Sequence, residues 1–219
     1  MKRNKFLSLA GLSFLAVLGK GSSRRISLLQ TDCKDPVSLA VPEGPFYKDE
    51  KLNRAGISEH KKGTPVEYHF KVEDIHCRPL AGAIVDIWQC DTDGHYSDFK
   101  QENSLGETWL RGYQKTGVDG KCIFESIFPG WYNGRLTHLH AKVHVNEKTV
   151  LTTNFFFPKE AEKEIHSGPL YPKGPNPVAI QQDIELHGDK DASRHDNLLM
   201  KMSKNSDGKW MAHYTIALA

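Results

Sequence analysis

From Pro65 onward, apolar and polar residues alternate with a period of two. Val66, Tyr68, Phe70 and Val72 are separated by Glu67, His69 and Lys71, the pattern of a strand with one face buried. Ala83 to Trp88 is a second apolar run, rich in β-branched and aromatic residues, and predicts another strand. Asp119-Gly120 lies between Lys115–Val118 and Lys121–Phe128, which predicts a hairpin. Leu136 to Val145 alternates again, an Asn146-Glu147 turn leads into Thr149 to Phe157, and Trp210 to Leu218 forms a closing strand. Helical spacing is confined to Lys159–His166 and to a stretch between Ala192 and Met202, while the Pro/Gly-rich segment Gly168–Pro177 reads as a surface loop. About seven short strands with turn signals between them predict an all-β fold. Its form is an antiparallel β-sandwich with long loops and one or two short helices.

The N-terminus departs from this pattern. Met1 to Lys5 is basic, and Phe6 to Gly19 is uncharged. That run is too short to span a bilayer and matches a secretory signal over residues 1–20. It implies export to the periplasm or the medium, with no stable membrane span after processing; an uncleaved anchor is the alternative. Residues 21–41 read as a polar, mobile lead-in. Pro42-Glu43-Gly44-Pro45-Phe46-Tyr47, which cannot be a helix interior, opens a single domain over 42–219.

Composition narrows the partners. The net charge is +2 and no block of five Lys/Arg occurs, so nucleic acid is not expected. Cys33, Cys77, Cys90 and Cys122 include no CxxC pair, which removes support for a structural zinc site. In an exported chain they allow one or two disulfides.

Candidate chemistry is concentrated in Pro129-Gly130-Trp131-Tyr132-Asn133-Gly134-Arg135-Leu136-Thr137-His138-Leu139-His140. Residues two apart on a strand share a face, so His138 and His140 point together while Leu139, Ala141 and Val143 point to the core. Two such imidazoles can sit beside one metal ion. The same parity puts Lys142 and His144 on that face, so an ordinary solvated surface, a cupin or a zinc site fits the pair equally well.

The flanking residues separate these readings. Glu43-Gly44-Pro45-Phe46-Tyr47, Pro79-Leu80-Ala81-Gly82-Ala83, Asp86-Ile87-Trp88-Gln89-Cys90 and Gly94-His95-Tyr96 precede the stretch above in order. Together they resemble the intradiol ring-cleavage dioxygenases, the family of protocatechuate 3,4-dioxygenase and catechol 1,2-dioxygenase. The resemblance implies a non-haem Fe(III) enzyme that inserts both atoms of O2 into a catechol-type diol between its hydroxylated carbons. Tyr96 and Tyr132 would be tyrosinate ligands, with His138 and His140 completing the site. Tyr132 would yield its place to the substrate and take one of its protons, and Arg135 would set a positive charge beside the reacting ring. Phenolate is a hard anionic donor suited to a trivalent ion, which holds tyrosine deprotonated despite an ordinary pKa of about 10.

Where the family usually carries glutamine after the histidines, this chain has Asn154, the same amide on a shorter stem. The segment from Tyr132 to His138 is shorter than in the protocatechuate enzymes. Phe46, Tyr47, Trp88, Trp131 and Phe155 are candidate walls for an aromatic ring; Tyr47 and Trp131, both in turns, are chosen with Asn154 as substrate-binding residues. Substrate and O2 are the expected partners, with a homo-oligomer left open. Two other readings remain. One is a zinc or Fe(II) protein using His138, His140 and a carboxylate such as Glu43. The other is a transthyretin-like binding module without chemistry.

Overall fold

The computed structural model describes residues 36–187 and 191–219, so the expected signal, most of the lead-in and Cys33 lie outside the described residues. Eight strands are formed: β1 (Pro65–Asp74), β2 (Ile84–Trp88), β3 (Arg111–Lys115), β4 (Lys121–Ile127), β5 (His138–Val145), β6 (Lys148–Phe156), β7 (Lys201–Lys204) and β8 (Trp210–Leu218). They make two four-stranded sheets, ordered β4-β1-β8-β7 and β3-β2-β5-β6, packed face to face as the alternation predicts. Val66, Tyr68, Phe70 and Val72 of β1 are all buried, and they meet Leu139, Ala141 and Val143 of β5 and Phe155 of β6 in one core cluster. Phe155 stands 5.3 Å from Phe70 and 4.3 Å from Tyr214, ring centre to ring centre. It belongs to this core and lines no aromatic pocket.

Among the described residues, pairings between these strands are antiparallel except β1 with β8, which run parallel from Val66 opposite Trp210 to Asp74 opposite Leu218. The turn after β5 has the expected form. Asn146 and Glu147 both have positive φ, 50° and 65°, the left-handed pair whose twist matches a two-residue hairpin. The hairpin expected at Asp119-Gly120 does not form. A tight turn is present, with Gly120 N–H donating to the Gly117 carbonyl. However, β3 pairs with β2 and β4 with β1, so the turn carries the chain from one sheet to the other. Local turn chemistry fixes the reversal but not the partner of each strand.

The helix α1 (Lys159–His166) has the expected bounds. The second expected helix is a 3₁₀ segment, Ala192–Leu198, and Lys201–Met202 already belongs to β7. Residues 38–41, the end of the expected lead-in, are tied down. Ser38 and Val41 N–H donate to the Ala217 and Thr152 carbonyls at 2.9 and 3.0 Å, so the fixed segment begins ahead of Pro42. Cys90 and Cys122 are free and buried, and Cys77 is disulfide-bonded. No helix among the described residues is long and apolar enough to cross a membrane.

Candidate metal centre

The outward face of the β3-β2-β5-β6 sheet carries one lateral row of residues. Arg111 of β3 is opposite Trp88 of β2, Trp88 is opposite His140 of β5, and His140 is opposite Asn154 of β6. All four are buried, because three segments fold over this end of the sheet. Pro42–Tyr47 crosses it, with Gly44 so close that an added Cβ would lie 3.5 Å from His140 Cε1. Asp91–Phe99 follows β2 and presents Tyr96. Pro129–Leu136 precedes β5 and presents Tyr132. Farther along the same face Lys142 and His144 are only half-buried, and Lys142 is met by Glu43 and the Tyr47 ring of the Pro42–Tyr47 segment.

Two glycines let the tyrosine-bearing loops touch. Gly130 N–H donates to the Asp91 carbonyl at 3.0 Å, and a Cβ at Gly130 would collide with the carbonyl oxygens of Thr92 and Asp91. Gly94, at φ +85°, sits against the Trp131 carbonyl in the same way, a left-handed conformation that costs glycine nothing. The Asp91 side chain closes its own loop by accepting from the Asp93 and His95 N–H groups.

Four side-chain donors converge as a result. His138 Nε2 is 2.9 Å from His140 Nε2, 3.4 Å from Tyr96 Oη and 3.3 Å from Tyr132 Oη, and His140 Nε2 is 3.1 Å from Tyr96 Oη. Atoms bound at about 2.0–2.2 Å to one ion are separated by roughly 3.0–3.5 Å, so the set fits a metal ion. His138 Nδ1 donates to the Leu136 carbonyl at 2.5 Å, which leaves the Nε2 lone pair free to coordinate. Burial holds both imidazoles well below their ordinary pKa, helped by the Arg135 charge and, at His140, first by its neighbour His138. Burial thus favours the neutral form of both rings. Burial also raises the tyrosines, Tyr96 well above 10 and Tyr132 to about 12. Only a strong cation among them would make phenolates stable there. Two neutral imidazoles with two buried phenols form a donor set for a hard, highly charged ion.

Arg135 stands behind Tyr132, with Nη1 donating towards Tyr132 Oη at 3.5 Å. Its Nε donates to both carboxylate oxygens of Asp183 at 3.0 Å, and Nη2 donates to Asn154 Oδ1 at 2.5 Å. Asn154 Nδ2 lies 3.1 Å from His140 Nδ1. The shorter amide thus reaches both Arg135 and His140. Asp183 is fully buried and also accepts from the Leu136 and Glu185 N–H groups.

The other expected residues stand farther out. The Tyr47 hydroxyl donates to Asp86 at 3.0 Å and its ring lies 4.8 Å from Trp88, which in turn stacks on His140 at 4.8 Å. Trp131 turns its indole N–H to the Gly174 carbonyl at 2.8 Å. Neither is among the converging side chains. The ring that is there belongs to Phe46, stacked on Tyr96 at 4.2 Å and edge-on to Tyr132 at 5.8 Å. His95 faces Glu102, away from the centre, and Glu43 pairs with Lys142, so neither completes the donor set. Asp183 and Arg111 went unread in the sequence.

Comparison with known proteins agrees with this geometry. A family model described as Dioxygenase matches residues 39–137, a span that holds Tyr96, Tyr132 and Arg135. The intradiol ring-cleavage dioxygenase of Tetranychus urticae superposes with a TM-score of 0.75 at 26% identity, over 84% of this chain and 94% of that one. In these comparisons the chain is similar to the intradiol ring-cleavage dioxygenases.

Among curated relatives, the 6-chlorohydroxyquinol 1,2-dioxygenase of Cupriavidus pinatubonensis is 26% identical over 191 residues, covering 78% of this chain and 65% of that protein. Catechol 1,2-dioxygenase 1 of Acinetobacter lwoffii is 28% identical over 136 residues, 52% of this chain and 44% of that protein. The chain thus spans less than two thirds of the length of these curated relatives.

Proposed function

We propose that this protein is a non-haem Fe(III) intradiol dioxygenase. It would insert both atoms of O2 into a catechol-type diol between the two hydroxylated carbons and yield a cis,cis-muconate-type diacid. The observation that carries the reading is the convergence of His138, His140, Tyr96 and Tyr132 at 2.9–3.4 Å, with Arg135 Nη1 directed at the Tyr132 oxygen.

Fe(III), when bound, supplies a Lewis acid that draws electron density from the ring of a chelated diol and so prepares it for O2. The protein's own side chains do the rest. His138 and His140 present neutral nitrogens that the Leu136 carbonyl and Asn154 hold in place. Tyr96, fully buried beneath Phe46, is the fixed phenol ligand. Tyr132 is half-buried and, of the two phenols that would hold the ion, would be the one with room to give way to the diol. Its phenolate then takes a proton from a substrate hydroxyl as general base, while Arg135 steadies the oxygen where negative charge has collected. Phe46 offers an apolar edge to the incoming ring.

The test is optical and chemical. Iron-loaded protein should be red to burgundy from phenolate-to-Fe(III) charge transfer, and catechol should give a muconate-type product. Colourless protein after iron loading, or a yellow semialdehyde from cleavage beside the hydroxyls, would overturn the reading. A His/carboxylate site using Glu43 gains no support, since that carboxylate is engaged by Lys142. We also propose that the chain is exported by way of residues 1–20. A secreted or periplasmic protein lacking these residues by mass spectrometry is the expected finding.

A further inference from the structure

Two arginines are buried at this end of the sheet, and they differ in their partners. Arg135 has the Asp183 carboxylate. Arg111 is 2% exposed, and no carboxylate among the described residues lies within ion-pair distance of it. Asp86, Asp98 and Glu50 act on it only from farther away. Its fork is spent on neutral oxygens: Nε donates to Ser97 Oγ at 2.7 Å, Nη2 to the Ser97 carbonyl at 2.8 Å, and Nη1 to the Phe46 carbonyl at 2.8 Å.

A buried charge without an ion pair is costly, so its retention calls for a compensating task. These acceptors define one. Ser97 directly follows Tyr96, and Phe46 is the ring stacked on Tyr96 at 4.2 Å with planes 7° apart. One rigid guanidinium therefore joins the backbone of the Tyr96 loop to the backbone of the Pro42–Tyr47 segment, the two chains whose rings form that stack. A lysine ammonium lacks the planar fork and cannot hold the same oxygens in the same geometry. The far side of the clamp is fixed too. Arg111 is opposite Trp88 in register, Trp88 is opposite His140, and Arg54 Nε donates to the Arg111 carbonyl at 2.9 Å.

We infer that Arg111 is a positioning residue for the metal centre. It sets the Tyr96 ligand and the Phe46 wall relative to the histidine-bearing sheet without touching substrate itself. This inference rests on the proposed dioxygenase reading.

The test compares iron-loaded wild type, Arg111→Lys and Ser97→Ala by iron content, visible spectrum and steady-state kinetics. Both variants should bind iron and show a displaced charge-transfer maximum, because the Tyr96 ring has moved. An ångström-scale misplacement costs about a hundredfold in rate, and that is the expected fall in kcat/KM for Arg111→Lys. Ser97→Ala, which removes one acceptor, should lose roughly tenfold. A purely structural role would lower the unfolding temperature and leave the spectrum of the folded fraction unchanged. Wild-type spectrum and kinetics in the variants overturn the inference. If Arg111→Lys does not fold, the same result in Ser97→Ala alone overturns it. Absence of the band in wild type would instead sink the dioxygenase reading.

Discussion

Arg135 and Asp183 form a buried ion pair in which one Nε–H is shared between both carboxylate oxygens at 3.0 Å. The pair is inaccessible to solvent on both sides, 2% and 0% exposed. Removing one partner therefore strands the other as a buried charge, which costs about 3–5 kcal/mol. Asp183→Ala should lose stability of that order in urea unfolding, whereas Asp119→Ala, at an exposed pair with Lys121, should change it far less. Equal effects would show that the buried pair is not what holds Arg135. Activity should fall in Asp183→Ala as well, because the guanidinium facing Tyr132 loses its anchor.

Gly130 gives a steric prediction. A methyl there would meet the Thr92 and Asp91 carbonyl oxygens, so the loops bearing Tyr96 and Tyr132 must part. Gly130→Ala should cost about 1–3 kcal/mol and weaken iron binding. Gly174→Ala, where an added Cβ meets nothing but φ is +65°, should cost less than that and leave iron binding intact. Iron titration of the two variants, with thermal melts, separates local strain from the loss of the loop contact.

Asp86 predicts a pH dependence. Burial raises its pKa from 3.8 to about 6, against the opposing hydrogen bond from Tyr47. A carboxyl raised on folding stabilises the folded state while protonated, and that contribution disappears as pH rises through the folded value. Stability should therefore decline between about pH 4 and pH 6 by roughly 2–3 kcal/mol from this group. Asp86→Asn should remove that slope from the stability profile. An unchanged profile in the variant would assign the slope to other groups.

Metal binding should appear as stability. A ligand held only by the folded state stabilises by about 2.7 kcal/mol at a hundred times its Kd. Iron should raise the melting temperature of wild type, and His140→Ala should abolish the rise. Tyr96→Phe should keep part of it while bleaching and shifting the visible band. An identical band in Tyr96→Phe would show that Tyr96 is not a ligand.

Much of this was readable along the chain, for definable reasons. The residues of β1 alternate because one face meets the core, and Val66, Tyr68, Phe70 and Val72 are buried as that alternation requires. Strand parity aligned His138 with His140, and adjacency to Pro129–Tyr132 made a metal reading specific. Arg111 and Asp183 escaped notice because each looks like an ordinary surface charge among its sequence neighbours; their burial arises from segments distant in the chain. Which ring each of Phe46 and Tyr47 would meet was equally hidden. Gly44, at φ +73°, turns the chain so that Phe46 meets Tyr96 and Tyr47 meets Trp88. The Asp119-Gly120 reversal misled for a related reason, since the sheet joined by each arm is decided by long-range pairing.

The parallel pairing of β1 with β8 bears on how the molecule comes into being. In the order β4-β1-β8-β7, the strand latest in sequence occupies an interior position. During synthesis β1 and β4 must wait with an open edge until Trp210–Leu218 is available, a connection of high contact order that slows folding and leaves a sticky intermediate. Expression at low temperature or with chaperones should therefore raise the soluble yield, and shortening the chain within β8 should remove the sheet's middle as well as its margin.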